Sequence, residues 1–181
     1  MKIGFISDTH GGLEETVEAI NLLKDCDNII HLGDVLYHGP RNALPKTYNP
    51  KELAVILSKI DNIEYVKGNC DSDVDQMVTG KDMSQKNRIF DFGKLKIYAV
   101  HGYEESEEDR IKKAKENNCN LIVTGHTHIK VLKKVDDIFI LNPGSTTIPK
   151  DGTKSVAIFD GEKLKHINLD TKEIIDEINI D

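Results

Sequence analysis

The chain lacks a long apolar run, a cysteine pair and a basic stripe, and each absence narrows what it can be. A helix that crosses a membrane needs about 20 consecutive apolar residues. Here the apolar stretches, KIGFIS and NIIHL among them, have the length of single strands. The opening MKIGFISDTH turns acidic too soon for a signal peptide and reads as a first strand, so a cytoplasmic protein with no membrane partner is expected. Three cysteines, Cys26, Cys70 and Cys119, are odd in number and far apart. That spacing excludes a disulfide framework and a cysteine-rich structural zinc site. A net charge of −7 without an aromatic-basic stripe argues against a nucleic-acid partner. There is no internal repeat, linker or low-complexity segment.

What is present is an ordinary globular composition. With 181 residues, 38% hydrophobic and 30% charged, the chain has the size of one domain that can bury a core, and that domain is taken to span 1–181. Residues 2–7, 28–32 and 63–67 read as strands, with helices at 13–24 and from Asn49-Pro50 onward. The 35–49 loop between them is long, and long loops in compact domains are more often functional than idle. Residues 71–87 have no decisive period and read as loop or short helix. Strands follow at 88–92, 95–100 and 121–124, with a charged helix at 104–118 whose acid-first order suits the helix dipole. The acidic start of that helix, 104–109, reads as a solvated face. Beyond residue 130 the pattern turns antiparallel, with strands at 130–135, 138–141, 154–160, 163–169 and 172–180. Asp136-Asp137 and Asp160-Gly161 read as two-residue hairpin turns. The expectation is one α/β domain with mixed sheets.

Chemistry concentrates in five short clusters: Asp8-Thr9-His10, Gly33-Asp34, Gly68-Asn69-Cys70-Asp71, His101-Gly102 and Gly125-His126-Thr127-His128. Each follows a short apolar run, so each lies where a strand ends and a loop begins. Sites in open α/β sheets form outside the carboxyl ends of strands. Carboxylate, imidazole and amide groups together suit Mn²⁺, Fe²⁺ or Zn²⁺. Two such ions about 3.5–4 Å apart can clamp the attacking and leaving oxygens of a phosphoryl displacement.

The stretches SDTHG, LGDVLYHGPRNALP, GNCDSDVDQM, HG, GHTH and LNPGS run from residue 7 to about 149. Together they resemble the calcineurin-like metallophosphoesterases, and within them the small bacterial YfcE-type phosphodiesterases. The resemblance implies an α/β sandwich of two mixed β-sheets flanked by helices. It implies a hydrolase that cleaves a small phosphodiester by attack of a hydroxide bridging two divalent ions, Mn²⁺ first, with Fe²⁺, Zn²⁺, Ni²⁺ or Mg²⁺ as alternatives. Asp8, His10 and His128 would hold one ion, Asn69, His101 and His126 the other, and Asp34 both. The other readings are a phosphomonoesterase or nuclease on the same site, or an interaction scaffold like the small retromer subunit. A complete ligand set counts against the scaffold. A homo-oligomer, a dimer first, is expected from the subgroup.

One departure stands out. Much of this superfamily has histidine where Cys70 stands, and that histidine is credited with protonating the leaving group. A thiol is a poor donor, so the enzyme should favour good leaving groups unless His38 or a water substitutes. Arg41 is a candidate phosphate clamp, because a guanidinium binds phosphate bidentately. His31, inside a strand, reads as structural, and His166 as a surface residue of a late hairpin. Asn142, Gly144 and Ser145 are expected to shape backbone beneath the site. Cys26 and Cys119 read as filler.

Overall fold

A computed structural model describes residues 1–180. In chain order its elements are β1 (Ile3–Ile6), α1 (Leu13–Leu23), β2 (Asn28–His31), α2 (Pro50–Ser58), β3 (Ile63–Tyr65), α3 (Asp73–Thr79), β4 (Asn87–Asp91), β5 (Lys96–Val100), α4 (Glu107–Glu116), β6 (Leu121–Val123), β7 (Val131–Val135), β8 (Ile138–Asn142), β9 (Ser155–Phe159), β10 (Lys163–Asn168) and β11 (Ile174–Asn179). One sheet has the order β11-β10-β9-β1-β2-β3, the other β4-β5-β6-β8-β7. Both are mixed. β1, β2 and β3 are parallel in the first, and β5, β6 and β8 in the second.

The sheets pack face to face because their inward residues are almost wholly apolar. Ile3, Phe5, Ile30 and Leu32 meet Ile97, Ala99, Leu121, Val123 and Phe139 in one buried cluster. The outer face of the first sheet is covered by α1 and α2 through Ala19, Leu23, Leu53 and Leu57. The outer face of the second is covered by α4 through Ala114. Cys26 and Cys119 are buried within these outer layers. Helix starts follow local chemistry. Asn49 accepts from the Glu52 amide with Pro50 in the first turn, and Ser106 and Asp109 form a capping box on α4.

One open reading is resolved and two expectations need correction. The undecided 71–87 segment contains α3, started by a Ser72–Asp75 capping box and ended by Gly80 in the left-handed region. The second hairpin turn centres on Gly161-Glu162, because Asp160 still pairs with Lys163. His166 is fully buried rather than on the surface. It alternates with Lys163 and Lys165 and so shares the inward face of Leu164.

Candidate metal centre

The five clusters meet at one edge of the sandwich, because parallel strands of both sheets end there. β1, β2 and β3 deliver Asp8 and His10, Asp34 and Asn69; β5 and β6 deliver His101, His126 and His128. The backbone is bent hard to do this. Asp8, His10, Asp34, His126 and His128 all have positive φ, between 44° and 66°. Such conformations cost about 1–3 kcal/mol each for a non-glycine residue and cluster at functional sites. Close loop contact is the second requirement. A Cβ on Gly68 would come within 2.2 Å of Asp34 Oδ1, and one on Gly125 within 2.0 Å of Ser7 Oγ. Only glycine fits at either position.

The side chains then present their free atoms to a common point. Asp8 Oδ2 accepts from Ser7 Oγ at 2.7 Å and from the His126 amide at 3.0 Å. Its Oδ1 is buried with no hydrogen-bond partner. Asp34 Oδ1 accepts from the Cys70 amide at 2.8 Å, which leaves Oδ2 facing His101 Nε2 at 3.4 Å and His10 Nε2 at 3.6 Å. Three histidines are oriented alike. The Nδ1–H groups of His10, His101 and His128 donate to the carbonyls of Tyr37, Leu32 and Ile148, at 2.8, 2.5 and 2.9 Å. With Nδ1 so engaged, each Nε2 faces inward, the orientation that metal-binding histidines use.

The consequence is a site that fits cations. His10 Nε2 and His128 Nε2 lie 3.2 Å apart with lone pairs opposed, and His101 Nε2 is buried without a partner. Two carboxylates and three imidazoles so arranged leave negative potential that only a cation or protons can satisfy. Burial alone would lower the His101 imidazole, but the Asp34 and Asp8 carboxylates override it and push it up to about 9. Burial opposes ionisation of Asp34, yet its contacts with His101 hold it well below the usual carboxylate range. Ligand atoms of Asp8, His10 and His128 lie within 4.8 Å of one another, and so do those of Asp34, His101 and His126. A third such group, His10, Asp34 and Cys70, overlaps both.

Around this centre lies a cleft of about 740 Å³ lined by Asp34, Arg41, Asn69, Cys70, His126 and His128. Arg41 and Asn69 are therefore in the cleft, both exposed. Cys70 Sγ accepts from Asn69 Nδ2 at 3.3 Å. Burial and then the Asp34 charge push its thiol up to about 12, so it keeps its proton. The His38 ring lies 4.8 Å from that of Tyr37 and 5.3 Å from that of Tyr48, and its buried Nδ1 has no hydrogen-bond partner.

Sequence reasoning left two residues without their roles. Asp71 is buried and ties two ligand loops together: it accepts from the amides of Asp34, Val35 and Gly68 at 2.9, 2.8 and 2.7 Å. Burial pushes its carboxyl up to about 6 against these donors, which favour the ionised form. His166 Nε2 lies 2.8 Å from the Asn142 carbonyl, and Asn142 Nδ2 holds the Gly125 carbonyl at 2.7 Å. Alternation along β10 is the signal that finds His166; the Gly68–Asp71 cluster marks Asp71 without its role. Ser145 Oγ donates to the Asp8 carbonyl at 2.6 Å. His31 is a satisfied neutral imidazole: Nδ1 accepts from Gly33 N–H, and Nε2–H donates to Thr9 Oγ1, which donates to the Val35 carbonyl.

The family model for the calcineurin-like phosphoesterase superfamily domain matches residues 1–164. The chain belongs to that superfamily. It is a phosphoric ester hydrolase with candidate ligands for divalent metal ions. It is 36% identical to phosphodiesterase YfcE of Escherichia coli (strain K12), over 99% of this chain and 98% of that protein. The solved structure of YfcE, a phosphoesterase from E. coli, superposes with a TM-score of 0.91 over all of both chains at 34% identity. Phosphodiesterase MJ0936 of Methanocaldococcus jannaschii is 29% identical, over 92% of this chain and 96% of its own. Vacuolar Protein Sorting 29 from Cryptosporidium parvum shares the fold, with a TM-score of 0.69 at 20% identity over 98% of this chain and 97% of its own. Among the described residues no helix is long and apolar enough to cross a membrane.

Proposed function

We propose that the chain is a cytoplasmic phosphodiesterase acting on a small phosphodiester, with two divalent ions at the cluster and Mn²⁺ as the preferred metal. The observation that carries this reading is the convergence of free Asp8 Oδ1, Asp34 Oδ2 and the Nε2 atoms of His10, His101 and His128 at one edge of the cleft. Asp8, His10 and His128 would hold one ion and Asn69, His101 and His126 the other, with Asp34 a candidate ligand to both. When bound, the ions supply an activated water as nucleophile and offset charge on the phosphoryl oxygens.

The chain's own residues do the rest. Backbone carbonyls lock the imidazoles so that little reorganisation accompanies binding. Arg41, at the cleft wall, clamps a non-bridging phosphate oxygen. Cys70 keeps its proton but donates it poorly, so the reaction relies on leaving groups that depart without strong acid assistance. The unit is a single phosphoesterase domain over 1–181, and β11 belongs to it through its pairing with β10.

The test is hydrolysis of bis(p-nitrophenyl) phosphate beside p-nitrophenyl phosphate, using metal-stripped protein with added Mn²⁺ and an Asn69→Ala control. Metal-dependent diester cleavage, faster than monoester cleavage and lost in the control, is expected. Faster monoester cleavage makes the protein a phosphomonoesterase. Tight metal binding with no turnover points to a scaffold.

A further inference from the structure

A second concavity opens at the same edge. It has a volume of about 540 Å³ and lies between the 36–48 loop, α2 and α3. Leu36 and Ala54 form its buried floor. Its walls carry Val55, Val74 and Val78, exposed by 49%, 61% and 51%. Large apolar side chains grouped in water around an apolar floor mark a binding surface. Its charged lining residues are Lys51 and Asp75. The Asp75 carboxylate at its edge is occupied by Ser72 in the capping box.

This groove adjoins the metal cleft. Tyr37 lines both. Its carbonyl accepts from His10 Nδ1, so it stands one hydrogen bond from the ligand set. Tyr48, at the inner end, presses on Gly11 beside His10: a Cβ there would come within 2.5 Å of the Tyr48 ring. The volume lies inside the usual range of small-ligand pockets, about 300–1,000 Å³.

We propose that this groove binds an apolar arm of the substrate. The second ester substituent is then a large apolar group, alkyl, acyl or extended aromatic, rather than a short one. This rests on the phosphodiesterase reading above. It makes the valines of α2 and α3 determinants of specificity, acting away from the reacting atoms.

The test uses a series of alkyl p-nitrophenyl phosphates, from methyl and butyl to octyl and dodecyl, each below its aggregation concentration. The leaving group is constant, so a change in kcat/KM reports on the other arm. Methyl and butyl esters should behave alike. The octyl and dodecyl esters should show KM lowered at least tenfold, since each methylene buried strengthens binding by up to about fourfold. The octyl-to-methyl ratio of kcat/KM should collapse towards one in Val74→Asp and in Val55→Asp. It should persist in Ile175→Asp, an exposed apolar position on β11. A flat series in the unmodified protein, with the methyl ester still turned over, overturns the groove and leaves the phosphodiesterase reading intact. No turnover of any ester overturns that reading and this inference with it. A flat series together with a dimer that Val74→Asp splits, seen by sedimentation, makes the groove a contact between copies and refutes the substrate arm.

Discussion

Replacing Asp71 by asparagine isolates a residue that touches no expected ligand atom yet holds the loops that carry two of them. Its carboxylate accepts three backbone amides, two from the loop after β2 and one from the loop after β3. Asparagine keeps the shape but exchanges one oxygen for an NH₂ group. Whichever way the amide turns, at least one backbone N–H faces a donor in a buried site. An unsatisfied buried N–H costs about 1–3 kcal/mol, and a hydrogen bond to a charged group contributes about 1.5–3. The expected loss of unfolding free energy is therefore about 2–4 kcal/mol, or roughly 5–15 °C in Tm for a domain of this size. Mn²⁺ affinity should fall about 10- to 100-fold, as it does when outer-shell partners of metal ligands are removed. Urea denaturation followed by circular dichroism and calorimetric titration of Mn²⁺ into stripped protein measure the two effects. An Asp71→Asn protein within about 0.5 kcal/mol of the unmodified chain, the range of ordinary surface changes, and with equal Mn²⁺ affinity would refute the reasoning.

Three further outcomes are expected. Gly125→Ala places a Cβ 2.0 Å from Ser7 Oγ and 2.9 Å from Asp8 Oδ2; it should destabilise by about 1–3 kcal/mol and weaken Mn²⁺ binding, and a normal Tm with normal affinity would contradict this. Cys70→His should raise the rate on esters with poor leaving groups relative to p-nitrophenyl esters, by at least about tenfold given that acid catalysis contributes about 10²–10⁴; an unchanged ratio rules out the leaving-group argument. The His31 imidazole, pressed by burial down to about 3, stays neutral in the fold while the unfolded chain takes up a proton near its ordinary value of about 6.5. Stability is thus lost as pH falls from about 6.5 towards 3, by about 2 kcal/mol at pH 5. His31→Gln should flatten the stability profile between pH 7 and pH 5 by that amount, and an equal slope in both proteins would exclude this histidine as the cause.

Much of the site was legible because its chemistry is written locally. Asp8, Asp34, Asn69, His101, His126 and His128 each follow an apolar run, and parallel strands must end at a common edge. The positive φ values at five of the seven expected ligands leave no mark in a one-dimensional pattern. Segment 71–87 resisted reading for a physical reason. α3 leaves Val74, Met77 and Val78 exposed, so no buried stripe sets a helical period. His166 was misplaced because a late hairpin suggests a surface; β11 covers one side of β10, and the inward face of Leu164 takes His166 with it. Asp71 holds the Asp34 and Val35 amides, distant in sequence, as well as that of nearby Gly68, and the distant pairing is one that only the folded chain creates.

Metal stoichiometry tests the central claim most directly. Metal-stripped protein is titrated with Mn²⁺ by calorimetry while diester hydrolysis is followed on the same samples. The account requires two equivalents per chain, with activity appearing as the second binds, and severe loss of binding in Asp34→Ala. A single equivalent, activity complete at one ion, or turnover that survives full chelation would contradict it.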